Sequence, residues 1–529
     1  MDRRTGLAIA LCFLIFVGWQ KFYMEPRMVK PTAVTEHTGA TSATSTASTM
    51  NAAPEKSGAN VVKPSGAEHK AEERKTVQVG TGVAQVGNGS RLFADWTLNS
   101  HRQDISKTAP LVDMKAVTNQ PEGEGEIGFD LQDYAYITQV QGTLASIPNG
   151  VEWTYEDQNL KMVRQTTATE KQNYADVKVV VDFKGKRPNY AFVSLHQHGT
   201  KEDPEAKDRQ FSYWTNKSIE RAGLDESTKL VDVQTPVRWI GASNRYFLMS
   251  LIVPEGQLEP HALIQGTAPW SGRISMVYPV TGNSITIPLK AFFGPKELTV
   301  LRSVDPTLDH TVDFGFFTFF AYPLLQVMRS LYEFFHNWGV AIIVLTLLVK
   351  LVTYPLTYKS MKSMKEMAKI QPQIKKLQEK HANDKEALNR EMMGLMKTHG
   401  YNPMAGCLPI LVQMPVFFAL YRVLYSSIEL YHQPFGFWIH DLSARDPLYI
   451  TPVLLTGVMF LQQKLQPNTA TDPAQQKMMQ FMPVIFGAFM INLPAGLTIY
   501  MVVNAGTSIL QQLFLNKKLG GSNVPAVRA

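Results

Sequence analysis

Hydrophobic and polar positions divide this chain into regions of different texture. A short apolar run, Leu7 to Trp19, is followed by a polar stretch, and the last part of the chain is strongly apolar again. Between them, from about Thr76 to Val300, short β-branched and aromatic runs recur, among them VKVVVDF, YAFVSLH, RYFLMSLIV and SITIPLKAFF. Turn residues punctuate these runs, as at 148–150 (Pro-Asn-Gly) and 281–283 (Thr-Gly-Asn). The pattern predicts a β-sandwich of many antiparallel strands over 76–300.

The carboxyl-terminal part holds four apolar blocks, at about 338–358, 408–428, 449–465 and 481–514. A crossing helix takes about 20 residues, so the last block is too long for one crossing. Asn492, Pro494 and Gly496 interrupt it, which predicts two helices, 481–493 and 497–514. The first of these is short and would need tilt or a locally thin bilayer. With the opening run, the chain is expected to be a polytopic α-helical membrane protein of six spans. Five of them form a core, 338–516, and the all-β domain is carried outside it. Before the core, FGFFTFFAYPLLQVMRSLYEFF is apolar and aromatic but contains Pro323, Arg329 and Glu333. Within 301–337 it reads as a linker and an amphipathic helix lying in the membrane interface.

Charge placement orients this map. The chain has 529 residues, 18% of them charged, and a net charge of +7. The segment from Lys359 to Gly400 carries ten Lys and Arg against five Asp and Glu, whereas the loop from Glu429 to Leu448 carries one Lys or Arg, Arg445. Lys517 and Lys518 follow the last span, and Arg3 and Arg4 precede the first. Positive loops stay in the cytoplasm. Both termini, the 359–400 segment and the 517–529 tail are therefore expected inside, and the β domain outside. The opening segment, 1–24, reads as an uncleaved signal anchor, because no Ala-x-Ala site follows it closely. Residues 25–75, rich in Ala, Thr, Ser, Gly and Pro, read as a flexible tether.

The 359–400 segment places Met361, Met364, Met367, Ile370, Ile374 and Leu377 at helical spacing, then Leu388, Met392 and Leu395. This predicts a helical hairpin with Asp384 as an amino-terminal cap and a kink at Pro372. Its methionine-rich face suits varied apolar partners, although packing of the hairpin on itself explains the pattern equally well.

Few residues suggest chemistry. Cys12 and Cys407 have no CxxC partner, which argues against a disulfide scaffold or zinc. His196 and His198 are expected as a surface pair. Trp153, Trp214, Trp239 and Trp270 read as core or interface residues, with a sugar groove as the alternative. No acid pair or nucleophile–base spacing points to an enzyme, and no cofactor is expected.

Lys350 stands out because it lies within an apolar block. A charge at the centre of a crossing helix costs about 2.5–3.5 kcal/mol. Thr346, Lys350, Thr353 and Thr357 share one helical face, as do Tyr500, Asn504, Thr507 or Ser508, and Gln511. Gln413 lies near the start of the third span, and Gln463 near the end of the fourth. On the expected topology Lys350 is about 18 Å from the outer end of its helix, and the polar faces gather in the cytoplasmic half. The pattern predicts a cationic, unpaired, hydrated site facing a groove open to the cytoplasm, for an anionic or polar guest.

The stretches NWGVAIIVLTLLVKLVTYPLT, YNPMAGCLPILVQMPVFFALY, PFGFWIHDLSARDPLYI, TDPAQQKMMQFMPVIF and LPAGLTIYMVVN stand in an order that resembles the YidC/Oxa family of membrane protein insertases, in its Gram-negative form. The resemblance covers nearly the whole chain and is strongest from Asn337 to Gln512. It implies a β-supersandwich in the periplasm, a bacterial inner-membrane location, and insertion and folding of nascent membrane proteins without ATP. It implies action alone or beside the Sec translocon, through a hydrophilic groove. It also implies that the hairpin and the 466–480 loop receive substrate or dock the ribosome or translocon. The family's groove arginine is Lys350 here. Thr346 matches its substrate-contacting threonine, and Gln463 a groove glutamine. Its Tyr-Tyr pair is Tyr500-Met501. The groove set is thus Lys350, Thr346, Gln413, Gln463, Tyr500 and Asn504. The rival readings are a secondary transporter, which would want an internal repeat, and an envelope enzyme with a sugar-binding β domain.

Overall fold

A computed structural model describes residues 73–80, 82–106, 108–118, 127–200, 208–224, 230–381, 384–398, 408–465 and 473–518. The expected anchor, Cys12, Cys407, residues 466–472 and nearly all of the expected tether lie outside them. The chain divides into two compact units. One takes residues up to Ser100, Val112–Asn244 and Leu248–Gly294; the other takes His101–Leu111, Arg245–Phe247 and the chain from Pro295 on.

The first unit is built of β-sheet. A four-stranded sheet follows chain order, Arg74–Val79, Gly82–Gly87, Asp95–Arg102 and Leu111–Asp113. A five-stranded sheet runs in the order Leu230–Val233, His261–Ala268, Ser271–Pro279, Tyr190–Gln197 and Ile127–Leu131. A nine-stranded sheet runs Ile219–Gly223, Gln210–Thr215, Val237–Ser243, Phe247–Ile252, Ser284–Pro295, Ala175–Phe183, Leu160–Thr167, Gly150–Glu156 and Thr143–Ile147. Strand Ala175–Phe183 shows why these residues form sheet. Ala175, Val177, Val179, Val181 and Phe183 are buried, and the residues between them are not. This is the period-two pattern of a strand with one face on the core.

Within this unit Trp153, Trp214 and Trp239 serve packing. Trp153 and Trp239 are fully buried, and half-buried Trp214 stacks on Trp239 at 6.5 Å. The buried Arg164 guanidinium lies 4.9 Å from the Trp153 ring centre and donates to the carbonyls of Ser90 and Gly87, at 3.1 and 3.2 Å. These carbonyl acceptors offset part of the cost of burying the cation, whose Nε has no partner among the described residues. The expected histidine surface pair is corrected. His196 is half-buried against Gly128, and burial, then the nearby Arg273, pulls its imidazole down to about 4. His198 lies past the strand end, with Nδ1 2.7 Å from the Ser271 hydroxyl.

The second unit is helical. Its main helices are α1 (Thr318–Phe335), α2 (Trp338–Lys380), α3 (Lys385–Thr398), α4 (Leu408–Ser426), α5 (Ile450–Leu465), α6 (Pro473–Met490) and α7 (Ala495–Lys518). The α1–α2 corner is made locally. His336 adopts a left-handed conformation at φ 54°, Tyr332 stacks on Trp338 at 4.3 Å, and Asn337 Oδ1 accepts from the Val340 amide at 3.0 Å. An asparagine acceptor here caps α2.

Two expected boundaries change. The block 338–358 and the first hairpin helix are one helix, α2, which passes through Pro355 and Pro372. The switch from apolar to basic residues at 358/359 changes solvent preference without breaking helical geometry. The helix expected at 481–493 is α6, which begins earlier, at Pro473, and ends at Met490. Proline suits a first helical position.

The hairpin closes on itself in part. Ile370 and Ile374 are buried with Met392 and Leu395 packed against them, and Asp384 Oδ1 accepts from the Glu386 and Ala387 amides, capping α3. Among the described residues, one helical segment, Trp338–Ser363, is long and apolar enough to cross a bilayer, and Met478–Met490 is a shorter apolar helix. Apolar side chains also point outward: Leu351 and Val352 are 70% and 77% exposed, and Val453, Ile485 and Leu510 are exposed too. Outward apolar faces of this extent mark contact with an apolar medium or partner.

Candidate functional site

Helix α7 packs against both α2 and α5, and more lightly against α4. The facing sides of α2 and α7 carry the polar residues. Lys350 is only 8% exposed, and its Nζ donates to Ser508 Oγ at 2.7 Å. Ser508 in turn donates to the Asn504 carbonyl at 2.8 Å. Among the described residues the ammonium makes no ion pair. Lys350 is thus buried, and its ammonium meets a neutral hydroxyl rather than a carboxylate.

One turn earlier on α2, Thr346 is buried, with its hydroxyl bonded to the Ile342 carbonyl at 2.7 Å. Thr353 and Thr357 likewise bond back to their own helix, to Val349 and Thr353. Such back-bonding satisfies a hydroxyl on a helix that has few other partners. On α7, Tyr500 is 1% exposed, and Gln413 Nε2 of α4 donates to its hydroxyl oxygen at 2.5 Å. Asn504 Oδ1 and Gln511 Oε1 are buried and have no hydrogen-bond partner among the described residues.

Five of the six expected residues therefore lie on helices α2, α4 and α7, around two bonded pairs, Lys350–Ser508 and Gln413–Tyr500. Gln463 is engaged elsewhere: its amide donates to the Met479 carbonyl, tying α5 to α6. Gln512, also on α7, donates to the Leu465 carbonyl. The sequence leaves Thr507 and Ser508 as equal candidates for the α7 face. The structure separates them, because Thr507 bonds to the Val503 carbonyl.

Two further interactions shape this unit and carry no signal in sequence spacing. Arg329 of α1 pairs with Glu429, its Nε 3.0 Å from Oε1. Asp446, buried before α5, accepts from the Thr451 amide and hydroxyl, the Leu448 amide and Trp438 Nε1. Burial pushes this carboxyl up, but those four donors outweigh it and hold it below the usual range.

Comparison with known proteins places the chain. The family described as "60Kd inner membrane protein" matches residues 330–522, and "YidC periplasmic domain" matches 132–327. "Membrane protein insertase YidC" of Lawsonia intracellularis is 33% identical over 98% of this chain and 99% of that one. This chain belongs to the YidC family. The YidC protein of Geotalea daltonii is 43% identical over 54% of this chain, and the match spans 54%, about half, of its length. That of Campylobacter jejuni is 50% identical over 43% of each. A solved YidC structure, "Active YidC insertase crystal structure with the first transmembrane domain resolved", aligns over 84% of this chain and 92% of that one, at 18% identity and a TM-score of 0.37.

Proposed function

We propose that this protein is a membrane protein insertase and chaperone of the bacterial inner membrane. The observation that carries the reading is Lys350, a buried cation on the α2 face toward α7, held by an uncharged hydroxyl. A charge in that position is costly unless something polar visits it. Membership in the YidC family supports the same reading.

In this proposal the chain crosses the membrane six times, with both termini in the cytoplasm and the β unit in the periplasm. The basic 359–400 segment supports that orientation. A groove opening to the cytoplasm runs along α2, α4 and α7. A nascent membrane protein enters it with a polar or acidic tail. Lys350 attracts the tail, and Thr346, Gln413 and Asn504 line its path with polar groups. Tyr500 offers a contact surface. Polar side chains within the inner leaflet shorten the dry barrier. The client's apolar helix then passes into lipid, and its burial drives the step. No covalent bond is made or broken, and no ATP is consumed. The hairpin and the 466–480 segment receive client from the ribosome, and the protein also works beside the Sec translocon.

Site-specific crosslinking tests this. A photoreactive residue at position 504 should capture a stalled single-span client, while one at position 510, on an exposed face of α7, should not. Equal capture at both positions, or none at 504, would refute the groove.

A further inference from the structure

Lys350 meets a neutral partner where an ion pair would be the obvious arrangement. Its Nζ lies 2.7 Å from Ser508 Oγ. The serine has one proton, and it goes to the Asn504 carbonyl at 2.8 Å. The oxygen that faces the lysine therefore presents lone pairs only. Neighbouring hydroxyls are committed elsewhere, since Thr346, Thr353, Thr357 and Thr507 are each bonded to a carbonyl of their own helix. Ser508 is the ammonium's hydrogen-bond partner among the described residues.

We infer that Ser508 is a positioning residue that fixes the Lys350 ammonium on the α2–α7 face while leaving its charge uncancelled. The inference rests on the insertase reading and deepens it. A lysine side chain has a flexible four-carbon stem, and without an anchor it would spend that freedom reaching toward water. A carboxylate at 508 would anchor it equally well but would neutralise it. A serine whose proton is already committed to Asn504 anchors it with a neutral acceptor. A client carboxylate can displace Ser508, because it offers the ammonium charge–charge attraction that a neutral hydroxyl cannot supply. The arrangement favours client tails that carry Asp or Glu over neutral tails of equal length.

The test uses the full chain, as wild type, Ser508→Ala, Ser508→Thr and Ser508→Asp. One arm measures the acylation rate of Lys350 by an amine-reactive ester, read on its own peptide by mass spectrometry. Ser508→Ala should label faster by about tenfold, the lower end of what one hydrogen bond to a charged group is worth. Ser508→Thr should label like wild type, and rates at surface lysines should not change. The second arm measures insertion into liposomes of two clients that differ only in an acidic or neutral tail. Ser508→Asp should lose the preference for the acidic tail and keep insertion of the neutral one. Ser508→Ala should weaken that preference, and Ser508→Thr should restore it. An unchanged Lys350 labelling rate in Ser508→Ala, or an unchanged acidic-to-neutral ratio in Ser508→Asp, overturns the inference. If wild type inserts neither client, the insertase reading falls, while the labelling arm still decides whether Ser508 holds the ammonium.

Discussion

Gln413 of α4 donates its side-chain amide to the Tyr500 hydroxyl of α7, at 2.5 Å, with the tyrosine buried. The bond joins α4 to α7. Tyr500→Phe should cost about 1–2 kcal/mol, because it leaves the Gln413 donor without its partner. Gln413→Leu combined with Tyr500→Phe should recover part of that loss. Unfolding in detergent would give the coupling, expected at about 1 kcal/mol. Strictly additive single losses would show that the bond contributes nothing.

Gly339 faces the Phe435 ring so closely that a Cβ there would overlap it, and Gly487 meets the Thr456 hydroxyl in the same way. Each glycine lets two segments approach at van der Waals contact. Gly339→Ala should destabilise by about 1–3 kcal/mol through overpacking. Adding Phe435→Leu should return most of it. A Gly339→Ala protein as stable as wild type in a thermal melt would contradict the packing described.

Arg329 and Glu429 tie α1 to the segment after α4 with most of both side chains out of water, at 23% and 11% exposure. Removing one partner strands the other. Glu429→Gln should cost about 2 kcal/mol, below the full penalty for a deeply buried pair because some solvent reaches the arginine. Limited proteolysis should then cut within 318–335 sooner than in wild type. Unchanged cleavage there would show that α1 is held by its buried Ala321, Leu325 and Met328 alone.

Asp446 makes stability depend on pH. Its carboxyl is held below the ordinary range, so the folded state binds its proton less readily than the unfolded chain does. Its contribution is complete above the unfolded value, about 4, and is lost as pH falls through the lowered folded value. Asp446→Asn should therefore be less stable than wild type at about pH 7, and the gap should narrow toward about pH 3. A gap independent of pH would assign the effect to turn geometry.

Residue order makes several of these features legible, and the reasons it hides others are physical. The helices α4, α5 and α7 begin and end within a few residues of their apolar blocks, because apolar runs and helix interiors coincide there. The continuity of α2 is hidden because Lys359, Ser360 and Met361 continue a helix as readily as they leave a membrane. The early start of α6 has a signal in Pro473 that apolarity alone conceals. The shared face of Lys350, Thr353 and Thr357 follows from periodicity. The choice of Ser508 over Thr507 does not, since it depends on where α2 packs. Arg329 and Glu429 are 100 residues apart, and only folding brings them together.

The proposal that Lys350, a buried and uncancelled charge, helps a polar tail enter the membrane is tested most directly by one measurement. The full chain is reconstituted in liposomes without ATP and offered a single-span client with a short acidic tail. Protease protection of that tail is then scored for wild type, Lys350→Leu and Lys350→Arg. Wild type and Lys350→Arg should protect the tail, and Lys350→Leu should lose most of that protection. Equal protection by all three would contradict a role for the charge, and no protection above empty liposomes would contradict insertion itself.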